Sequence, residues 1–192
     1  MKKLLNLIPV LILSFCLAAC GSGSEGETSA DLGQYTIRIG HGLSPSSPLH
    51  AAFTQMKDYV ESKSNGNLTV EIFPSAQVGG EREMVEGVQN GTLEIAYTTT
   101  GPFTSFVPEF MVLDIPFQFD SYEEAWMVLD SNVGKELMAT AEQYNLHLIA
   151  WMESGFRHIT TSDVPVTTPD DLKGLKIRTM EAAMHMKNFE AR

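Results

Sequence analysis

Two arginines near the carboxyl end of the chain carry the clearest chemistry in the sequence. Arg157 lies at the start of a predicted strand, and Arg178 closes another one at the end of the run Gly-Leu-Lys-Ile-Arg. Ligands of open α/β sheets bind at the carboxyl ends of strands, where Arg178 is expected to project. A guanidinium is a rigid, two-pronged donor that matches a carboxylate, and such a pair contributes about 1.5–3 kcal/mol. A single arginine is more often a surface charge, but this position favours carboxylate binding by Arg178.

The patterns that mark common enzymes and cofactor sites are missing from the sequence. It has no Gly-rich phosphate loop, no Gly-x-Ser-x-Gly turn and no His-Glu-x-x-His helix. No pair of carboxylates is singled out by position as an acid and a base. The histidines lack metal-ligand spacing and are best interpreted as solvated or core residues: His41, His50, His147, His158 and His185. We therefore predict no metal, no cofactor and no catalytic residue.

The amino-terminal residues predict export. Two lysines precede an apolar run at residues 4–15, and small residues then lead to Cys20. This pattern is typical of a bacterial lipoprotein signal peptide, and the run is short for a bilayer-spanning helix. We predict a signal peptide at residues 1–19 and a lipid on Cys20. The lipid would tether the protein to the membrane, on the outer face of the cytoplasmic membrane or in the periplasm. The alternative is an ordinary secretory signal with a chance cysteine.

The exported part of the chain is acidic and has no cysteine for a disulfide or a thiol nucleophile. Removal of residues 1–19, which contain two lysines, one cysteine and no acid, changes the formal charge from −11 to −13. Such a surface repels polyanions, so that a nucleic-acid partner is not expected. Residues 20–33 have almost no apolar side chain to bury and are predicted to be a flexible linker.

From residue 35 onwards, the periodicity of apolar residues predicts strands that alternate with helices. Such an order requires crossover connections and indicates an α/β fold with mainly parallel strands. The predicted strands are 35–39, 68–73, 93–97, 146–152, 156–161 and 175–178, and the predicted helices are 48–62, 81–90, 121–129, 134–144 and 181–191. A single helical turn is predicted at 168–174. The last helix has no stop signal, so that we expect the chain to be a fragment of a longer reading frame.

The segment between residues 102 and 119 is rich in phenylalanine and proline and allows two interpretations. The first is an apolar loop that packs under the sheet, and the second is an aromatic wall of a binding cleft. The residues concerned are Phe103, Phe106, Phe110, Phe117 and Phe119, with Pro102, Pro108 and Pro116 between them.

Several sequence motifs, in the same order along the chain, resemble those of a known family. That family is the DctP-type substrate-binding proteins of tripartite ATP-independent periplasmic (TRAP) transporters. The similar words are residues 73–84 (FPSAQVGGEREM), 91–96 (GTLEIA), 106–110 (FVPEF), 113–117 (LDIPF) and 170–178 (DDLKGLKIR). The motif at residues 170–178 is the most specific, and the similarity extends from about residue 35 to the end of the chain.

The resemblance implies a fold and a set of ligand-binding residues. The fold would be of the periplasmic-binding-protein type, with two α/β lobes that close on an organic acid. The first lobe would be residues 34–150, and residues 151–192 would be the start of an incomplete second lobe. Arg178 occupies the place of the arginine that grips the ligand carboxylate, and Arg157 that of a second arginine. Glu181 falls where relatives place a polar ligand contact. The predicted set also includes His41 and Thr99. Thr99 lies in a run of threonines where some family members have an acidic residue.

The resemblance also implies a function and a partner. The chain would be a receptor that binds a small carboxylate, such as a sugar acid, and delivers it to the membrane subunits of a TRAP permease. A secreted lipoprotein hydrolase is an alternative from another class, but it would need a nucleophile–base pair or a spaced carboxylate pair. A receptor of an ATP-driven importer is a third interpretation, which does not account for the Gly-Leu-Lys-Ile-Arg word.

Overall fold

The computed structural model describes residues 33–190 of the chain. The predicted signal peptide, the lipid site at Cys20 and all but the end of the predicted linker lie outside these residues. Within the described part, no helix has the length and apolar character needed to cross a membrane.

Three parallel strands form the sheet, as the alternation of strands and helices predicts. They are β1 (Tyr35–Gly40), β2 (Leu68–Phe73) and β3 (Ile95–Ala96), in the order β2-β1-β3. β1 pairs with β2 along its whole length, whereas β3 pairs only with the last two residues of β1. The α/β class is therefore confirmed. Because all three strands are parallel, their carboxyl ends lie at the same edge of the sheet.

Six α-helices and three 3-10 helices complete the described part of the chain. The helices are α1 (Pro48–Lys63), α2 (Glu81–Gln89), α3 (Thr100–Phe103), α4 (Tyr122–Leu129), α5 (Asn132–Ala139) and α6 (Ala183–Glu190), and the 3-10 helices are Pro108–Asp114, Thr140–Tyr144 and Pro169–Leu172. The longest, α1, begins where the side chain of Ser47 accepts a hydrogen bond from the Leu49 amide. It is followed by a turn in which Asn65 and Gly66 adopt positive φ angles.

Two apolar clusters hold these elements together. In the first, Phe53 of α1 packs against Ile39 and Val70 of the sheet. The second contains Val85 of α2 and Phe110 of the 3-10 helix, together with Phe103, Val107, Ala141 and Leu146. Phe103 and Phe110 are buried and meet edge to face, with 4.8 Å between ring centroids. The structure thus supports the packing interpretation of the phenylalanine-rich segment for these two residues, whereas Phe117 is 85 % exposed.

The segments predicted as strands at 146–152, 156–161 and 175–178 are not strands in the described part of the chain. Residues 147–167 make no backbone–backbone hydrogen bond there. An extended segment becomes a strand only when a neighbouring strand pairs with its backbone, and periodicity in one sequence does not reveal that neighbour. The predicted boundary between two lobes at residue 150 stays a prediction.

A salt bridge fixes β3 beside β1. Glu94, immediately before β3, accepts hydrogen bonds at Oε2 from the amide and Nε of Arg38, at 2.8 and 2.9 Å. Its Oε1 accepts a third from Nη2 of Arg38 at 2.7 Å. These hydrogen bonds, the side-chain bond to Arg38 foremost, lower the pKa of Glu94 to about 2. A two-residue strand has few ladder bonds, so that this pair contributes much of its attachment.

We predict that Glu94→Gln weakens the folded state by about 1 kcal/mol at neutral pH, because a charge-assisted hydrogen-bond pair is lost. The depressed pKa of Glu94 means that the unfolded chain takes up this proton first, so the stabilisation is lost as pH falls from 4.5 towards 2. Urea unfolding as a function of pH measures both effects. Glu71→Gln is the control, since Glu71 is exposed and interacts with Arg38 only through a weaker electrostatic attraction, without a hydrogen bond. Equal effects of the two variants would contradict the prediction.

Candidate ligand-binding site

A cavity of about 310 Å³ brings together four of the five predicted ligand-binding residues. Arg157, Arg178, Glu181 and Thr99 all line it, and His41 does not. The remaining lining residues are Gly80, Glu81, Arg82, Glu83, Pro102 and Met180. Segments that are up to about a hundred residues apart in the chain therefore meet around one space. Among the described residues no cluster of side chains has the composition of a metal site.

One wall of the cavity comes from the start of α2 and the segment after β3. Glu81, the first residue of α2, accepts hydrogen bonds at Oε2 from the amide and the hydroxyl of Thr99, both at 2.7 Å. The hydroxyl of Thr98 donates to the same oxygen at 3.1 Å. The other oxygen, Oε1, has no hydrogen-bond partner within residues 33–190. The carboxylate of Glu81 is therefore held in place with one oxygen available to accept a hydrogen bond.

A second wall, formed by residues 157 and 178–181, carries the two predicted arginines. Arg157 and Arg178 are exposed, and neither forms a salt bridge or hydrogen bond with another described residue. The third arginine of the cavity, Arg82, differs because its Nε donates to Glu86 at 3.2 Å and its guanidinium lies 5.5 Å from the ring centre of Phe106. Two of the three guanidinium groups thus lack a counter-ion in the described part of the protein.

Gly101 of α3 packs closely against Met180, which lies in the segment that contains Arg178 and Glu181. Met180 is buried, and a Cβ atom on Gly101 would lie 2.7 Å from its terminal methyl carbon. A side chain at position 101 would therefore displace the end of the Met180 side chain from its present position.

His41 is fully buried beside the sheet, away from the residues that line the cavity. Its Nδ1 accepts a hydrogen bond from the Leu43 amide at 3.1 Å, so that its Nε2 donates to Nδ1 of His50 at 3.0 Å. The ring stacks on Phe53, with 5.2 Å between centroids. Burial, with a smaller contribution from His50, lowers the pKa of His41. These contacts indicate a packing role, and its predicted role as a ligand contact has no support from its position.

Glu81 and Arg82 are two of the cavity residues that the sequence prediction did not single out. Acidic residues are common in the first turn of a helix because they interact favourably with its dipole, so that Glu81 has an ordinary explanation there. Arg82 likewise has a Glu86 partner at the usual helical spacing. The sequence motif at residues 73–84 contains both residues and could have pointed to them.

The fold and the cavity define an α/β binding protein with unpaired cationic groups in its site, and comparisons with known proteins identify its family. The model of the bacterial extracellular solute-binding proteins, family 7 (DctP), matches residues 39–192. The chain belongs to this family, as the resemblance implies, and its periplasmic-binding-protein type of fold is confirmed.

Individual relatives agree with this assignment. A solute-binding protein of Verminephrobacter eiseniae is 40 % identical over 82 % of this chain and 47 % of its own length. A TRAP periplasmic solute-binding protein of a Polaromonas species, bound to D-erythronate, is 39 % identical with a TM-score of 0.78 and covers 82 % of this chain. The sugar acid binding protein DctPAm of Advenella mimigardefordensis, in complex with galactonate, is 32 % identical with a TM-score of 0.80 over 83 % of this chain. The chain covers 52 % of each of these two structures, so that it spans about half the length of its relatives.

We predict that His41→Gln makes folding stability less sensitive to pH between about 7 and 5. The folded-state pKa of His41 lies below its ordinary value of 6.5, so the unfolded chain binds more protons and wild-type stability falls as pH falls through this range. The substitution removes this titration and costs about 1–2 kcal/mol at pH 7 through lost hydrogen bonds and packing. Thermal unfolding across this range measures it. His147→Gln, at an exposed position, is the control and keeps the wild-type slope; an unchanged slope in His41→Gln would contradict the prediction.

Proposed function

We propose that the chain is an extracytoplasmic receptor for a small organic acid, whose carboxylate is held by Arg178 with help from Arg157. The observation that carries this proposal is that two guanidinium groups without a counter-ion among residues 33–190 line the same cavity. A carboxylate accepts two parallel hydrogen bonds from one guanidinium, and the pair is stronger where water is excluded. Closure of the protein around the acid would therefore strengthen the contact that holds it.

The charge of the cavity favours an acid with one carboxylate and several hydroxyl groups. Its lining has three arginines and three glutamates, so that a second carboxylate on the ligand would meet repulsion that a hydroxyl would not. Oε1 of Glu81 and the exposed carboxylate of Glu181 are acceptors suited to hydroxyl donors. The related proteins bound to D-erythronate and to galactonate support this choice. Thr99 shapes the same wall and holds Glu81 in place.

The proposal extends to the location and the partners of the receptor. After cleavage behind residue 19, the lipid on Cys20 would hold the protein at the outer face of the cytoplasmic membrane. Alternatively, the protein would act in the periplasm. Residues 34–150 and 151–192 would belong to two lobes that close on the acid. The loaded receptor would deliver the acid to the membrane subunits of a TRAP permease, whose ion gradient would drive uptake. No nucleic acid takes part.

We predict that Arg178→Ala weakens D-erythronate binding at least about thirtyfold, because the carboxylate loses its charged partner. Arg157→Ala should weaken it about tenfold, and Arg178→Lys should keep part of the affinity, since lysine retains charge without the two-pronged geometry. Isothermal titration calorimetry on protein produced from its complete reading frame provides the measurement, with galactonate and succinate for comparison.

Lys176→Ala is the matched control for Arg178→Ala. Lys176 is exposed, lies two residues away and does not line the cavity, so that its loss removes the same charge without the contact. We expect its affinity to stay within about twofold of wild type. Near-wild-type binding by Arg178→Ala would show that the carboxylate is held elsewhere. Failure of the unaltered protein to bind any of the three acids would contradict the proposed function as a whole.

A further inference from the structure

A buried carboxylate, that of Asp114, contacts Thr100 and His185, which lie next to two of the segments that line the cavity. Asp114 ends the 3-10 helix Pro108–Asp114, and its side chain is 3 % exposed. Its Oδ1 accepts a hydrogen bond from the hydroxyl of Thr100 at 2.8 Å and lies 3.6 Å from Nε2 of His185 on α6. Its Oδ2 is buried and has no hydrogen-bond partner among the residues that the structure describes.

The two partners of Asp114 are directly connected to opposite sides of the cavity. Thr100 follows Thr99, whose amide and hydroxyl fix the Glu81 carboxylate. His185 lies on the helix that follows Glu181, and the turn into this helix is closed by a hydrogen bond from the Ala182 amide to the Met180 carbonyl at 2.8 Å. Asp114 is thus the one acidic group that joins the Thr99 wall to the Glu181 wall within the described residues.

The contact between Asp114 and His185 has room to tighten. A separation of 3.6 Å exceeds the usual length of a hydrogen bond between nitrogen and oxygen. A buried carboxylate oxygen without a partner is unfavourable, so that a closer contact with the imidazole would stabilise this carboxylate. Because His185 lies on α6, the contact links the carboxylate to the element that follows Glu181.

We propose that Asp114 and His185 are positioning residues for the ligand site, which set the distance between its two walls and couple it to ligand binding. The inference rests on the proposed function, since it requires that an acid binds between these walls. Neither residue lines the cavity, so their effect reaches the acid through Thr100 and Thr99 on one side and through Glu181 on the other. The contacts of the pair differ from the surface ion pair of His147 with Glu142, in which both side chains are mostly exposed.

A double-mutant cycle with D-erythronate affinity as the readout tests this proposal. Asp114→Asn and His185→Ala should each weaken binding about tenfold, and the double variant should be no weaker than either single one, because the same contact is lost in all three. His185→Gln retains a nitrogen donor and should recover part of the affinity. If His185→Ala fails to fold, His185→Gln takes its place in the double-mutant cycle. His147→Ala is the matched control and should leave affinity unchanged.

Thermal unfolding without the acid distinguishes positioning from a purely structural role. A structural role alone would lower the melting temperature while folded protein binds D-erythronate as well as wild type does, and this result would overturn the proposal. Losses in affinity that simply add in the double variant would overturn it as well. If the unaltered protein binds D-erythronate and Arg178→Ala does not, any such failure concerns the Asp114–His185 pair alone. If the unaltered protein binds none of the acids, the proposed function fails, and this inference with it.

Discussion

Hydrogen bonding of β1 to a parallel strand on each side places three carboxyl ends at one edge of the sheet. The strand order β2-β1-β3 means that the chain crosses over β1 between its second and third strands, which opens a crevice at this edge. The segment after β2 leads to Glu81, and the segment after β3 leads to Thr99. One wall of the cavity is therefore a consequence of the sheet topology. The salt bridge between Arg38 and Glu94 keeps β3, the shortest strand of the sheet, in register with β1.

Under the proposed function, the charge distribution of the cavity would allow one site to attract an acid and still select among acids. Arg82 is compensated by Glu86, whereas Arg157 and Arg178 have no counter-ion in the described chain. These two groups provide attraction for one carboxylate. The carboxylate of Glu81 is fixed by Thr98 and Thr99, and a fixed acceptor costs less to use than one that must first be ordered. It therefore favours a hydroxyl and disfavours a second negative charge.

The sequence predicted the features that are encoded locally and missed those that depend on distant neighbours. The strands and helices up to residue 97 follow from periodicity and caps, and they are present within a residue or two of their predicted ends. Arg178 and Arg157 were singled out because a guanidinium suits a carboxylate and because sequence motifs resemble those of the family; both line the cavity, and their role in ligand binding stays a prediction. The strands predicted beyond residue 145 are not found, because pairing requires a partner that periodicity cannot supply. His41 has chemistry that suits a site, but only the fold shows that its ring is enclosed by Phe53 and His50.

The wall that carries Arg157 and Arg178 is held mainly by side chains. Residues 147–167 lack backbone hydrogen bonds to the described residues. Side-chain contacts locate the wall, and they include those of Met180 with Gly101, His185 with Asp114, Glu153 with Trp126 and Phe156 with Tyr122. Segments with few backbone hydrogen bonds lie at the low end of local stability, and they are the segments that move when ligands bind. An acid held by Arg178 would add a contact between this wall and the rigid Thr99 wall. Binding energy would then be divided between holding the acid and ordering the wall, so that the proposed positioning contacts would influence affinity together with the arginines.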